Sequence, residues 1–353
     1  MELERSAAAL SAPRTGGVPV LVTLMSVAGS AYRGPGARMV VLGNDTTVGA
    51  ISGGCLEKDV VAHAAKARAA GGPLAVSYDL TGDDDAPWGL NMGCNAKLDV
   101  LLEPCPQGVP AWLRQALDAL TARAPVVIAT LFGGTGAPGH RGTEVGARAV
   151  MVGNDAPLGG GLADGPLGGR IRADAQRVMD EERSDVVGYP AEGGEALVLH
   201  EFLPRPIRLV ICGEGNDVAP LARLGAELGW QVVTLGKNDA LPPADDRTAA
   251  VVMSHNYARD LALLGQLLPG RAGYVGLLGP RSRTERLLAD LKQNGTPPNV
   301  IALQRLHGPV GLDIGAETPE EVALAIAAEI RAQMAGRGGG KLKERKGPIH
   351  ERR

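Results

Sequence analysis

Short apolar runs bounded by glycine-rich turns recur along the chain, and they predict β-strands. A helical pattern begins just after residue 55 and is stopped by Gly71-Gly72, and a further helix is predicted over 110–123. In the first 204 residues the strand-like runs are VLVTLM at 20–25, KLDVLLEP at 97–104, VVIATLF at 126–132 and EALVLHEFLP at 195–204. This part of the chain is therefore predicted to be a mixed α/β domain.

The same part of the chain contains an internal duplication. Residues 36–45 read GARMVVLGND and residues 146–155 read GARAVMVGND, with seven of ten positions identical. Each copy follows a strand-like run and is followed by another. We therefore predict a domain over 1–204 built from two related halves, at about 19–104 and 125–204.

From residue 207 the pattern changes to apolar strands that alternate with amphipathic helices. This alternation predicts a parallel sheet covered on both faces, a doubly wound Rossmann-like domain over 205–335. Thr318, Pro319 and Glu321 form a capping-box pattern before the last helix. The tail over 336–353 has no apolar period and carries seven Lys or Arg against two Glu, so it is predicted to be disordered.

Composition narrows the function classes. Only ten of the 353 residues are Phe, Trp or Tyr, and the net charge is −3, which argues against a nucleic-acid binder. The sequence shows neither an apolar run of about 18 residues nor the apolar core of a signal peptide, so we expect no membrane segment. Four scattered cysteines without a CxxC pair are typical of reduced thiols, and we expect a cytoplasmic protein.

A Rossmann-type turn is predicted at Gly213-Glu214-Gly215. Its two glycines suit a tight turn before a helix whose N-terminus can hold an anion. An NAD site also needs an acidic residue at the end of the second strand, where this chain has Gly236-Lys237. The alternative hypothesis is an NAD(P)-dependent oxidoreductase with His255 as its acid–base group. The missing acidic residue argues against NAD(P) binding and so against this alternative.

The loop over 29–38 combines glycines with Ser30, Arg33 and Arg38. Backbone N–H groups and arginine forks in such a loop suit an anionic group such as phosphate. A surface loop with solvated arginines explains the same residues, and the stretch alone does not decide between the two.

Two cysteines lie beside glycines at the ends of predicted elements. Gly53-Gly54-Cys55 places a thiol where a helix begins, and the helix dipole favours its thiolate, a soft ligand for a metal that prefers sulfur. Cys94 follows a glycine just before a strand. Buried, inert cysteines are the alternative for both positions.

These residues together resemble the XdhC/CoxI family, the accessory proteins of molybdenum hydroxylases. The resemblance covers about 19–104 and 207–332. The most specific runs are Gly-Gly-Cys-Leu-Glu at 53–57 and GLDIGAETPEE at 311–321. The chain departs from the family pattern at Glu214, Asn216 and Gly236-Lys237, and at Gly279-Pro280-Arg281, where relatives often have Gly-Ser-Arg.

The resemblance implies a chaperone, more than an enzyme with its own turnover. Such a protein transiently binds molybdenum cofactor and protects it while a cysteine desulfurase installs the terminal sulfido ligand. It then delivers the cofactor to an apo molybdenum hydroxylase of the xanthine or carbon monoxide dehydrogenase class, and a homodimer is expected. The family's metal-associated cysteine maps onto Cys55, and its glycine-flanked cysteine maps onto Cys94.

Overall fold

The computed structural model describes residues 2–13, 16–54, 56–80, 95–134, 145–154, 158–191 and 194–346. The chain divides into a first compact unit that ends at Arg205 and a second that spans Pro206–Lys346. Among the described residues, none of the helices is both long enough and apolar enough to cross a membrane.

The first unit contains two halves joined by one helix. The first half consists of α1 (Glu2–Ser11), β1 (Val20–Ser30), β2 (Arg38–Val41), β3 (Thr47–Gly49), α2 (Glu57–Ala70), β4 (Leu74–Asp79) and β5 (Asn95–Pro104). The connecting helix is α3 (Ala111–Thr121). The second half consists of β6 (Val126–Gly133), β7 (Arg148–Val152), α4 (Gly168–Glu181), β8 (Asp185–Ala191) and β9 (Gly194–Leu203).

The two halves share one topology. Their antiparallel sheets have the strand orders β3-β2-β1-β5-β4 and β7-β6-β9-β8, so β6 to β9 repeat β1, β2, β4 and β5. Each long central strand is interrupted by a register shift, between Leu24 and Ser26 in β1 and between Leu131 and Gly133 in β6. A shared β-bulge is a designed feature of a fold rather than a chance defect. The predicted duplication is therefore confirmed.

The sheets pack back to back, with one helix covering each outer face. Apolar residues of α2, such as Val60 and Ala64, fill the core against the first sheet, as the corresponding residues of α4 do against the second. On the inner faces, Met25 and Leu101 of the first half contact Phe132 and Leu199 of the second. This burial ties the halves into one unit.

Two ion pairs connect the halves reciprocally. The guanidinium of Arg38 donates to Glu201, and that of Arg148 donates to Glu103. Arg38 lies opposite Thr23, and Arg148 opposite the equivalent Thr130. Glu103 and Glu201 occupy equivalent positions on β5 and β9, opposite Leu21 and Ile128. Each half therefore contributes one arginine and one glutamate to a symmetric exchange.

Both pairs are shielded from water. The side chains of Arg38 and Glu201 are only 3% and 7% exposed, and those of Arg148 and Glu103 are 8% and 16% exposed. The ring of Trp112, on α3, lies 5.6 Å from the guanidinium carbon of Arg38 and 4.3 Å from that of Arg148. Burial by itself would lower the pKa of Arg38, but the charge and hydrogen bonds of Glu201 raise it overall.

The second unit is a parallel sheet with helices on both faces. It consists of β10 (Arg208–Cys212), α5 (Val218–Glu227), β11 (Gln231–Leu235), β12 (Thr248–Val252), α6 (Tyr257–Leu267), β13 (Tyr274–Leu277), α7 (Arg281–Gln293), α8 (Val300–Gln304), β14 (Leu306–His307) and α9 (Pro319–Met334). The strand order is β11-β10-β12-β13-β14, and every pair is parallel.

Helices α6 and α7 cover one face of this sheet, and α5 and α9 cover the other. The predicted doubly wound, Rossmann-like fold is therefore confirmed. Helix α9 begins with the predicted capping box, in which Thr318 and Glu321 each accept a hydrogen bond from the other's backbone N–H. The disorder of the tail over 336–353 stays a prediction, and its residues 347–353 lie outside the described part of the chain.

We expect Glu201→Gln to lower the free energy of unfolding by roughly 3–5 kcal/mol, because it leaves the buried charge of Arg38 without a counter-charge. Urea denaturation measures the change. The double variant Arg38→Met with Glu201→Gln should be more stable than the sum of the single changes indicates.

The exposed pair between Lys97 and Asp79 supplies the control for this experiment. Its side chains are 63% and 55% exposed, so Lys97→Met should leave the free energy of unfolding almost unchanged, because water screens such a pair. Additive effects at Arg38 and Glu201 would contradict the coupling of the two side chains.

Candidate functional site

Several connections of the first half begin or end where β1 and β4 end and β5 begins. We call this end of the strands the first-sheet edge. Ser30, the last residue of β1, lies opposite Asn95, the first residue of β5. The N–H of Leu80, just after β4, donates to the carbonyl of Ala96 at 2.9 Å. The loop over 31–37 therefore starts beside the two ends of the segment that connects β4 to β5.

Helix α2 also begins near this edge. In its first turn, Asp59 accepts a hydrogen bond of 2.7 Å from the hydroxyl of Tyr78, near the end of β4. In its last turn, Arg68 donates to the carbonyls of Val18 and Leu42 at the opposite end of the sheet. The topology thus brings Gly53 and Gly54, which precede α2, to the edge where the loop over 31–37 starts.

The turn before α2 is closed by Ser52 and Glu57. The buried hydroxyl of Ser52 donates to Glu57 Oε2 at 2.7 Å, and the Ser52 N–H donates to Glu57 Oε1 at 3.2 Å. The N–H of Gly54 donates to Ser52 Oγ at 3.2 Å. The N–H of Leu56 is shared between Ser52 Oγ and Glu57 Oε2, at 3.3 and 3.1 Å. We call Ser52 and Glu57 the turn brace.

The described residues leave the backbone at three glycines of this edge uncovered. Apart from its chain neighbours, a side-chain carbon built on Gly34, Gly53 or Gly54 would meet no atom of the described residues within 4 Å. None of these described residues blocks close approach to the main chain at the three positions, a property that a glycine-rich binding loop requires.

The structure describes only some of the candidate residues of this region. Cys55 and Cys94 lie outside the described residues, and so does the side chain of Ser30. The side chain of Arg33 is 32% exposed and forms an ion pair with Glu2. Arg33 is therefore accessible to a ligand that displaces Glu2.

Arg38 has a different role from the one that the sequence suggested. Its guanidinium is buried and is bound to Glu201, and its backbone N–H donates to Glu2. A buried, paired guanidinium has no free fork to offer to a phosphate. The duplicated decapeptide already carried the signal, because Arg148 stands at the same position in the half that lacks a cysteine. We therefore remove Arg38 from the candidate ligand residues.

The two cysteines that the structure describes are both buried. Burial raises the pKa of both Cys105 and Cys212 to about 11. Their thiols therefore stay protonated at neutral pH and are poor metal ligands. Among the described residues, no three His, Cys, Asp or Glu side chains are grouped as a metal ion would require.

The second half lacks the turn brace. Helices α2 and α4 begin alike, with Val60 donating to the Leu56 carbonyl and Ile171 to that of Leu167. Aligned on these bonds without a gap, Ser52, Cys55 and Glu57 correspond to Ala163, Pro166 and Gly168. A side-chain carbon on Gly168 would lie 1.9 Å from the Ala163 carbonyl oxygen. The turn before α4 is therefore closed by backbone packing.

In the second unit, Gly213 and Gly215 lie where the predicted turn requires them. The turn connects β10 to α5, beside the point where the strand order reverses, and ligands of doubly wound sheets bind there. A side-chain carbon on Gly213 would lie 2.5 Å from the Met253 carbonyl oxygen, so only glycine fits. His255 follows β12, is 60% exposed, and approaches Asp217 Oδ2 to 3.2 Å.

Three carboxylates, those of Glu214, Asp217 and Asp239, lie where a dinucleotide would bind at this turn. Glu214 Oε1 accepts from the N–H of Lys237 at 2.9 Å, and Asp239 accepts from the N–H of Gly236 at 2.8 Å. The Glu214 carboxylate is therefore bonded to the backbone N–H of Lys237, just after β11. The ribose of a dinucleotide is normally held at this place. Together with Asp217, Glu214 adds negative charge where a pyrophosphate would lie.

Sequence reasoning missed the turn brace and the role of Glu2. Ser52 and Glu57 stand on either side of Gly53-Gly54-Cys55, and Glu57 belongs to the run that carried the family resemblance. The signal was the absence of both side chains from the aligned turn of the second half. Glu2 lies on α1, which the apolar pattern did not predict.

Comparison with known proteins supports one family over both units. A family model described as the XdhC and CoxI family matches residues 14–79. A model described as the XdhC Rossmann domain matches residues 209–330.

Full-length relatives agree with these matches. A protein of Bacillus subtilis (strain 168), named as a probable xanthine dehydrogenase subunit, is 29% identical over 88% of this chain and 92% of its own. The molybdenum cofactor insertion chaperone PaoD of Escherichia coli (strain K12) is 25% identical over 91% of this chain and 85% of its own.

A crystal structure described as a xanthine dehydrogenase from Bacillus halodurans has the same fold. It superposes with a TM-score of 0.69 and 28% identity, covering 96% of this chain and 97% of that one. Since both units match family models and relatives align over nearly the whole length, the chain belongs to the XdhC and CoxI family.

Proposed function

We propose that this protein binds molybdenum cofactor at the first-sheet edge and inserts it into an apo molybdenum hydroxylase. The observation that carries the proposal is the convergence at this edge of the loop over 31–37, the turn before α2 and the two ends of the segment carrying Cys94. The family membership and the name of the insertion chaperone among its relatives support the same function.

The chemistry of the edge fits the cofactor. Molybdopterin carries an anionic phosphate, and its dithiolene sulfurs bind a metal with oxo ligands. Arg33 supplies an accessible guanidinium, which binds phosphate through paired N–H groups. The open backbone at Gly34, Gly53 and Gly54 leaves room for the pterin. Cys55 would supply a thiolate, the soft donor that such a metal centre accepts.

Each residue has a separate task in this proposal. Arg33 exchanges Glu2 for the phosphate and so sets the orientation of the ligand. Cys55 holds the metal end, and Cys94 lies on the segment that enters and leaves the same edge. When bound, the cofactor supplies the oxygen-atom and electron transfer that the client enzyme needs, and the chaperone holds it without performing that reaction.

The remaining parts of the proposal concern the reaction sequence. We include protection of the metal while a cysteine desulfurase installs the terminal sulfido ligand, and delivery to a client of the xanthine or carbon monoxide dehydrogenase class. We also include a homodimer, which sedimentation analysis tests. A cytoplasmic location accords with four cysteines that form no paired motif.

Replacing Cys55 tests the thiolate directly. Cys55→Ser keeps the size of the side chain and removes the soft donor, so bound cofactor should fall at least about tenfold, equivalent to about 1.4 kcal/mol. Molybdenum analysis and pterin fluorescence of the purified protein measure the loss, while circular dichroism and Tm should stay unchanged.

Cys94→Ser is the matched comparison. If Cys94→Ser loses the cofactor and Cys55→Ser keeps it, the metal ligand is Cys94. If both variants bind as well as the parent protein, no thiolate holds the metal and this part of the proposal is wrong.

Arg33→Met should lower cofactor retention by about tenfold, because it removes charge-assisted hydrogen bonds to the phosphate. The residual binding should depend less on salt than that of the parent protein. Arg5→Met, the same change at an exposed position on α1, should leave both retention and salt dependence unchanged. Equal retention in the two variants would remove Arg33 from the site.

The alternative function, an NAD(P)-dependent oxidoreductase, is opposed by the geometry of the second unit. Glu214 and Asp217 place carboxylates at the turn, and Gly236-Lys237 stands where a ribose-binding acid is needed. We therefore expect calorimetry to give dissociation constants for NAD and NADP that lie above the low micromolar range. Low-micromolar binding of either dinucleotide would restore the alternative.

A further inference from the structure

Five hydrogen bonds connect Ser52 and Glu57 to each other and to the backbone of the turn before α2. The Glu57 carboxylate accepts from the Ser52 N–H, the Ser52 hydroxyl and the Leu56 N–H. The Ser52 oxygen in turn accepts from the N–H groups of Gly54 and Leu56. Residue 55 is therefore flanked on both sides by backbone amides that are bonded to the turn brace.

A simple helix cap does not need this arrangement. The N-cap residue of α2 is Leu56, and no side chain caps the helix through it. A Ser or Asp at the N-cap itself would satisfy the first turn with a single side chain. The brace instead joins a residue before the glycines to one after the cysteine, and so restrains the turn as a whole.

The second half provides an internal comparison. Its helix α4 begins with the same backbone geometry, yet Ala163 and Gly168 replace both members of the brace, and Pro166 stands where the first half has Cys55. The aligned turn closes without polar side chains, because Gly168 packs against the Ala163 carbonyl. The second half therefore forms the same topology without a brace, and the brace is present only in the half that has the cysteine.

We propose that Glu57, acting through Ser52, is a positioning residue that orders the turn on both sides of Cys55, at Gly54 and Leu56, for the cofactor. This inference rests on the proposed function. Two glycines precede Cys55, and an unbraced Gly-Gly segment has more backbone freedom than any other dipeptide. The brace removes that freedom before the ligand arrives, so binding does not have to supply the ordering.

Hydrogen bonding, rather than charge, is the property that the turn uses. A glutamine at position 57 keeps one carbonyl oxygen as acceptor for the Ser52 or Leu56 N–H, and its amide can donate to Ser52 Oγ. Glu57→Gln should therefore retain bound cofactor within about threefold of the parent protein. Glu57→Ala and Ser52→Ala each break the turn brace and should lower retention at least tenfold.

The decisive measurement combines amide hydrogen exchange with cofactor retention. In the ligand-free full-length protein, Glu57→Ala should speed exchange at the Gly54 and Leu56 amides at least tenfold, while the amides of α2 beyond residue 61 stay unchanged. Glu227→Ala and Glu227→Gln, on the exposed end of α5, are the matched controls and should alter neither quantity. Ser52→Ala gives an independent answer if Glu57→Ala does not fold.

The outcomes separate this inference from the proposed function. If exchange accelerates but retention stays at the parent level while Cys55→Ser loses the cofactor, the positioning role is wrong and the proposed function stands. If Glu57→Gln is as defective as Glu57→Ala, the negative charge acts instead of the hydrogen bonds, and the inference is overturned. If Cys55→Ser itself keeps the cofactor, both the thiolate and its positioning residue are rejected.

Discussion

The reciprocal exchange of ion pairs between the two halves is the constraint on which the first unit depends. A buried arginine without its carboxylate is costly, whereas a paired one adds direction to an otherwise apolar interface. Arg38 and Arg148 each reach across to a glutamate of the other half, and Trp112 lies against both guanidinium groups. The pairs thereby fix how the two sheets pack, and the first sheet carries the candidate site at its edge.

The two halves share the residues of their common core but differ at the turn before the covering helix. Both halves keep the arginine, the glutamate, the β-bulge and the covering helix, which are what the shared core needs. Only the first half has Ser52, Cys55 and Glu57, and the second half forms the same topology without equivalents of them. The difference between the copies therefore separates residues that both halves share for the fold from the residues of the proposed site, without reference to any other sequence.

Much of the fold could be predicted from the sequence, because its signals are local. Apolar alternation located the central strands, the repeated decapeptide revealed the halves, and Thr318 with Glu321 marked the start of the last helix. The site was less accessible, since pairing across the sheets is not local. Arg38 looked like a ligand residue because its loop is rich in glycine. The equivalent Arg148 indicated a structural role, but the partner of Arg38, Glu201, lies on a distant strand that the local pattern does not reveal. The turn brace was missed since its meaning depends on the geometry that Ser52 and Glu57 share.

The hairpins β4–β5 and β8–β9 are equivalent, yet their connections differ greatly in length. Residues 80–94 join the first pair, whereas only 192 and 193 join the second. Closing a longer loop costs about 0.6 kcal/mol per doubling, so this difference costs on the order of 2 kcal/mol. The antiparallel ladder absorbs it without a change in strand order. Chain length next to the candidate site can therefore differ between the two copies at little thermodynamic cost, while the duplicated core keeps one topology.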